Sequence, residues 1–140
     1  MKFWDASAIV PLCCREQSTM QLRTLLRSDR DLVVWWSTLV ECHSAIERLV
    51  REKKLGPSDQ LKAMRALGML EARWIEVEAG DLARQQALRA LKLHNLRTGD
   101  ALQLGAALVW AQLRPRRREF VCLDARLREA AAIEGFTVLP

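Results

Sequence analysis

The sequence predicts an α/β fold: a single domain over residues 1–140, with a central parallel sheet of about five strands and helices on both faces. Three observations predict it. Short apolar runs with β-branched and aromatic residues, such as Leu32 to Trp36, have the composition of strands buried on both faces. Between them lie longer stretches whose apolar residues recur at helical spacing. At four places where strand or loop gives way to helix stands a carboxylate: Asp5, Glu41, Asp100 and Asp124.

Taken in order, Lys2 to Trp4 is a short strand ending at Asp5, and Ser7 is placed to cap the helix that follows. After a turn near Arg15, Met20, Leu22, Leu25 and Leu26 give the segment Ser18 to Arg27 an amphipathic pattern. Ser28 to Asp31 is a polar turn before the Leu32 strand. A long helix starts at Ser37 or Thr38 and runs to about Lys54 on a core stripe of Leu39, Cys42, Ile46, Leu49 and Val50, and Gly56 and Pro57 end it. Another helix spans Ser58 to about Ala72, and Trp74 to Val77 is the third strand. Gly80 and Asp81 open a helix through Lys92. The loop His94 to Gly99 leads into a helix from Asp100 to about Leu113, which stops before Pro115. Phe120 to Leu123, a helix from Ala125 to Glu134, and Phe136 to Leu139 complete the chain. Paired helices between the second and third strands, and again between the third and fourth, make the fold more helical than a minimal doubly wound sheet.

With 50% hydrophobic residues, 140 residues suffice to bury one full-sized core. The longest uncharged run, Ala101 to Leu113, is too short to span a bilayer. Asp5 ahead of the first apolar stretch, and Pro11 within it, argue against a secretory leader. Cys13, Cys14, Cys42 and Cys122 form no C-x-x-C pair and lie in apolar segments, as expected of a protein in the reducing cytoplasm. Net charge is +5; if the four junction acids are offset by a bound cation, 22 basic residues against the other 13 acids leave +9, which suits a polyanionic partner. Between Leu82 and Arg118 eight basic residues accompany one acid, Asp100.

Each acid alone has a structural explanation. Glu41 follows Thr38 at capping-box spacing, Asp100 lies in a first helical turn, and Asp124 can cap the last helix. Asp5 ends a strand, and Ser7 already supplies a cap. The joint pattern says more, because Ser, Thr and Asn cap as well as carboxylates do. In a parallel sheet the carboxyl ends of the strands converge on one crevice, which would gather all four acids. Such a cluster repels itself unless partly protonated or neutralised, and a hard cation such as Mg²⁺ or Mn²⁺ relieves the repulsion. A metal held there can activate water and stabilise phosphoryl oxygens, the chemistry of phosphodiester hydrolysis.

With these positions the chain resembles the PIN domains, and among them the VapC toxins of prokaryotic toxin–antitoxin pairs. The motifs are Phe3-Trp4-Asp5-Ala6-Ser7-Ala8, Ser37-Thr38-Leu39-Val40-Glu41, Leu96-Arg97-Thr98-Gly99-Asp100-Ala101-Leu102 and Val121-Cys122-Leu123-Asp124. The resemblance extends over essentially the whole chain. It implies a PIN-like domain with a Mg²⁺- or Mn²⁺-dependent endoribonuclease centre. Asp5 and Asp100 would be the principal metal ligands, Glu41 a further ligand or water-holding group, and Asp124 a more peripheral fourth acid. Ser7 and Thr98 would be hydroxyls orienting Asp5 and Asp100. It also implies an RNA substrate, a cognate antitoxin and self-association as a homodimer. Two other readings stay open: a PIN-type nuclease of RNA processing without an antitoxin, and a non-catalytic basic RNA-binding module whose acids are caps.

For substrate contact the sequence offers Arg97, close to Asp100, and the exposed turn around Pro115, where Arg116 and Arg117 stand between Arg114 and Arg118. Trp35 and Trp36 admit base stacking, although a buried strand explains at least one. His94 is a loop residue that could touch substrate, and His43 points away from Glu41 on its helix.

Overall fold

A computed structural model describes residues 1–14, 18–29 and 31–140. The turn expected near Arg15 and the Arg30 position of the polar turn lie outside the described residues. The elements run β1 (Lys2–Trp4), α1 (Ala6–Cys13), α2 (Thr19–Ser28), β2 (Leu32–Trp35), α3 (Thr38–Arg51), α4 (Pro57–Glu71), β3 (Ile75–Val77), α5 (Asp81–Leu93), α6 (Thr98–Trp110), β4 (Glu119–Val121), α7 (Ala125–Glu134) and β5 (Thr137–Leu139). All strand pairings are parallel, in the order β3-β2-β1-β4-β5. The fold is the α/β class expected.

Strand alternation divides the core into two layers. Phe3, Val33, Trp35, Phe120 and Cys122 face one side, where they meet buried residues of α5, α6 and α7. Trp4, Leu32, Val34 and Val121 face the other, against α1, α2, α3 and α4. Hence β2 is apolar at every position, the pattern that marked Leu32 to Trp35 as doubly covered. Phe3 stacks on Phe120 at 5.2 Å between ring centroids, continuing the contact from β1 to β4.

Several ends differ from expectation for local reasons. α3 stops at Arg51 because Lys53 takes a left-handed conformation at φ 56. Gly56 and Pro57 then begin α4 rather than end α3: Gly56 is its N-cap and Pro57 its first residue, where a missing N–H costs nothing. α6 starts at Thr98, before Asp100, and ends at Trp110, since Gln112 and Leu113 are left-handed at φ 53 and 59. Gly135, at φ 106, closes α7.

At the amino ends of the strands, charges are paired. The buried Lys2 ammonium lies 3.2 Å from Asp29 and 3.2 Å from Glu119, and the amino terminus also bonds Asp29. At the other end, Arg128 donates to the carbonyls of Cys122, Leu139 and Pro140, tying β4 to β5. No helix of the described residues is long and apolar enough to cross a membrane.

The tightest helix contact is between α5 and α6. A Cβ added at Gly105 would stand 2.6 Å from the Ala83 carbonyl oxygen and 2.9 Å from the Ala87 nitrogen, both backbone atoms that no side-chain rotation can clear. Gly105→Ala is therefore expected to destabilise the protein by about 1–3 kcal/mol through overpacking. Urea unfolding measures this, and an unchanged midpoint would show that α5 can withdraw from α6.

Candidate functional site

The strand order reverses about β1: the chain passes from β1 toward β2 and β3 on one side, then returns to β4 and β5 on the other. In open α/β sheets the crevice outside the carboxyl ends at such a reversal is where ligands bind. Asp5 follows β1 and its N–H donates to the Val121 carbonyl of β4 at 3.0 Å, so it stands at the seam. Its residue is 5% exposed.

Asp5 itself caps α1, its Oδ2 accepting from the Ser7 N–H at 2.9 Å. This corrects the expectation that Ser7 would be the cap. The Ser7 hydroxyl instead accepts from the Leu123 N–H at 2.9 Å and lies 3.7 Å from the Cys122 sulfur, which is itself 3.7 Å from Asp5 Oδ2. Ser7 thus supports Asp5 and joins it to the segment carrying Asp124. Burial raises the Asp5 carboxyl from 3.8 to about 6; the Ser7 side chain and N–H oppose the rise, and the charges of Glu41 and Asp100 add to it.

Glu41 is half-buried in the first turn of α3. The capping box expected with Thr38 does not form. Thr38 is fully buried, and its hydroxyl accepts from the Gln103 amide at 3.2 Å. Ser37 is the N-cap residue; its hydroxyl donates to Glu41 Oε1 at 2.5 Å, while Gln103 Nε2 donates to Oε2 at 3.0 Å. Glu41 is therefore held from α6 as well as from its own helix. Asp100, in the first turn of that same α6, has its carboxyl raised by burial and by the charges of Asp124 and Glu41. The Arg97 N–H and guanidinium act in the opposite sense. Thr98 is exposed, and the Arg97 main chain bonds the Asp100 carboxyl. Asp124 caps α7, accepting from the Leu127 N–H at 2.9 Å, as foreseen.

All four carboxylates line one groove of about 720 Å³, together with Ser7, Ser44 and Arg48 over a partly apolar wall. An adjoining hollow of about 460 Å³ shares Asp100 and Asp124 and is edged by Arg97 and Arg126. None of the four acids forms an ion pair among the described residues. As placed, no three His, Cys, Asp or Glu side chains among the described residues are grouped closely enough to hold a metal ion. The reason is visible in the hydrogen bonds: Asp5 is turned to its helix cap, Asp124 to its own, and Glu41 to Ser37 and Gln103. Mg²⁺ characteristically takes only one or two carboxylates and keeps several waters, so this hard-oxygen set fits such an ion without a closed protein cage.

The other singled-out residues separate clearly. Arg97 reaches the site, whereas Arg116 and Arg117 precede β4 at the amino end of the sheet, away from the groove. Arg118 lies over the Trp110 ring at 5.4 Å. His94 is the C-cap of α5 and bonds Glu134 at 2.8 Å, so it is a structural residue rather than a substrate contact. Trp35 is buried in the sheet and Trp36 is 55% exposed. Burial raises the thiols of Cys13 (to about 12), Cys42 and Cys122, as befits inert small hydrophobes. Sequence reasoning missed Gln103, Arg48 and Arg126. Gln103 carried a signal, being a polar residue on the apolar stripe of α6, three positions after Asp100. Arg48 also did, lying about two turns beyond Glu41 and hence on the same face of α3.

No protein-family model and no curated protein matches the chain. Among solved structures it is similar to PAE2754 from Pyrobaculum aerophilum, with a TM-score of 0.68 at 18% identity, covering 98% of this chain and 87% of that one. The likeness supports the fold.

The raised Asp5 carboxyl has a consequence for stability. Between its ordinary value of 3.8 and about 6 the folded chain binds more protons than the unfolded chain, so stability falls as pH rises through that window in metal-free buffer. Roughly two pKa units correspond to about 2–3 kcal/mol. Asp5→Asn keeps the oxygen that accepts from Ser7 but removes the ionisation. It should match the parent near the low end of the window and exceed its stability at neutral pH by about that amount. Parallel pH profiles for parent and variant in urea unfolding would contradict this.

Proposed function

We propose that the protein is a divalent-metal-dependent endoribonuclease and the toxin of a type II toxin–antitoxin pair. The observation that carries this reading is the single groove lined by Asp5, Glu41, Asp100 and Asp124 at the carboxyl ends of β1 and β4. These acids bear no ion-pair partners among the described residues, and Asp5 and Asp100 are both pushed toward protonation by burial and by their neighbours' charges. A carboxylate set of this kind is quieted by a cation. The order and spacing of the four motifs, which resemble those of PIN domains and VapC toxins, supply the reaction class.

In this reading Asp5 and Asp100 hold Mg²⁺ or Mn²⁺, which when bound polarises a water and the phosphoryl oxygens. Glu41, held by Ser37 and Gln103, would orient the attacking water. Asp124 remains the outer acid, shared between the groove and the hollow beside it. Ser7 holds the Asp5 carboxylate in register with the Asp124 segment. The cognate antitoxin, whose Arg or Lys would compete for the carboxylates, the homodimer and the cytoplasmic setting belong to the same proposal. A PIN-type nuclease of RNA processing would use the same groove, and a short adjacent gene for a DNA-binding protein distinguishes the toxin.

Asp5→Asn and Asp100→Asn should each lower RNA cleavage by more than about 100-fold, beyond the loss typical of an outer-shell partner, while circular dichroism stays that of the parent. Full activity in either variant would remove that residue from the site. Water attack without the RNA 2′-hydroxyl should leave 5′-phosphate and 3′-hydroxyl ends, and 2′,3′-cyclic phosphate products would exclude it. Asp100→Asn should also raise the melting temperature by a few degrees in metal-free buffer and shrink the further gain from Mn²⁺. A parent protein that melts identically with and without Mn²⁺ would contradict metal binding.

A further inference from the structure

Three arginines line the two hollows that share Asp100 and Asp124, Arg48 in one and Arg97 with Arg126 in the other. Arg48 lies on the α3 face that carries Glu41 and lines the larger groove. Arg97, preceding α6, and Arg126, in the first turn of α7, edge the hollow beyond Asp100 and Asp124. All three are exposed, and none forms an ion pair among the described residues. By contrast, Arg84 and Arg89 on α5 are engaged by Asp81 and Glu134. Two of the three positions, Arg97 and Arg126, also oppose the local dipole, since a cation near a helix amino end is disfavoured.

The charge pattern along the joined hollows is therefore cationic, acidic, cationic. A lone small anion would be drawn to one end and repelled by the centre. A basic peptide would meet the reverse. A chain of phosphates fits all three sections, with its outer phosphates on the arginines and its central phosphate over a cation held by the acids. We infer that Arg48 on one side and Arg97 with Arg126 on the other form a phosphate track that draws a single-stranded RNA across the carboxylates, so that the substrate must extend beyond the cleaved bond in both directions. This rests on the nuclease reading and specifies its substrate contacts.

The test measures binding rather than turnover. A fluorescein-labelled single-stranded oligoribonucleotide is titrated in the Asp100→Asn background, which removes one repelling charge, and anisotropy is followed over a range of KCl. Each of Arg48→Ala, Arg97→Ala and Arg126→Ala should lower the slope of log K against log salt by about 0.7, and the triple variant by about 2. The Arg116→Ala/Arg117→Ala double variant should leave the slope unchanged. A triple variant with the starting slope, or a loss confined to Arg116 and Arg117, would overturn the track. So would polyglutamate displacing the RNA as readily as unlabelled RNA does, which would make the occupant an acidic polypeptide. Cleavage by the parent in Mn²⁺ separates the two levels. RNA cut while the triple variant keeps its slope sinks only the track, whereas RNA neither bound nor cut sinks the nuclease reading with it.

Discussion

The burial of Asp5 among other carboxylates at the carboxyl ends of β1 and β4 is the constraint on which the rest of the site depends. At the opposite end of the sheet, the buried Lys2 is answered by Asp29 and Glu119. At the carboxyl end Asp5 is buried with no ion-pair partner among the described residues, and Glu41 and Asp100 add their charges. Hydrogen bonds fix the acids in defined orientations. Ser7 and Cys122 meet Asp5, Ser37 and Gln103 meet Glu41, and the Leu127 N–H meets Asp124. These bonds fix where each carboxylate points within the groove.

The fold brings distant parts of the chain to that point. Asp5 and Asp124 arrive on adjacent parallel strands, β1 and β4, and the reversal of strand order about β1 opens the crevice between the segments that follow them. Asp100 and Glu41 arrive on α6 and α3, which are linked directly by the buried Gln103. The close approach of α5 to α6 at Gly105 fixes α6 against the sheet layer that contains Phe3 and Phe120. Core packing and site geometry are thus continuous: a shift of α6 would move Asp100 and loosen Glu41 together.

Much of this was legible in the sequence, and the exceptions have physical causes. Runs such as Leu32 to Trp35 announced doubly covered strands because every residue is apolar, and the four junction acids stood out because each follows a strand or opens a helix. Which side chain caps which helix was not legible. Asp5 and Ser7 are both good caps, and the choice turned on the Leu123 N–H, contributed from 116 positions away in the chain, taking the Ser7 hydroxyl. The Thr38 capping box failed for the same kind of reason, since Gln103 claimed the Thr38 hydroxyl across 65 positions. Arg116 and Arg117 drew notice as a charge run, yet run length says nothing about which end of a sheet it falls on; Arg48 and Arg126, single residues, proved nearer the acids.

The side-chain carbon resonance of Asp5, followed by NMR through a metal-free pH titration, tests most directly whether the acids form one electrostatic unit. The expected midpoint is about 6, against 3.8 for an ordinary aspartate. Neutralising Glu41 or Asp100 should lower it part of the way, leaving the remainder due to burial. A midpoint near the ordinary value, indifferent to both substitutions, would mean that the carboxylates share a groove without sensing one another.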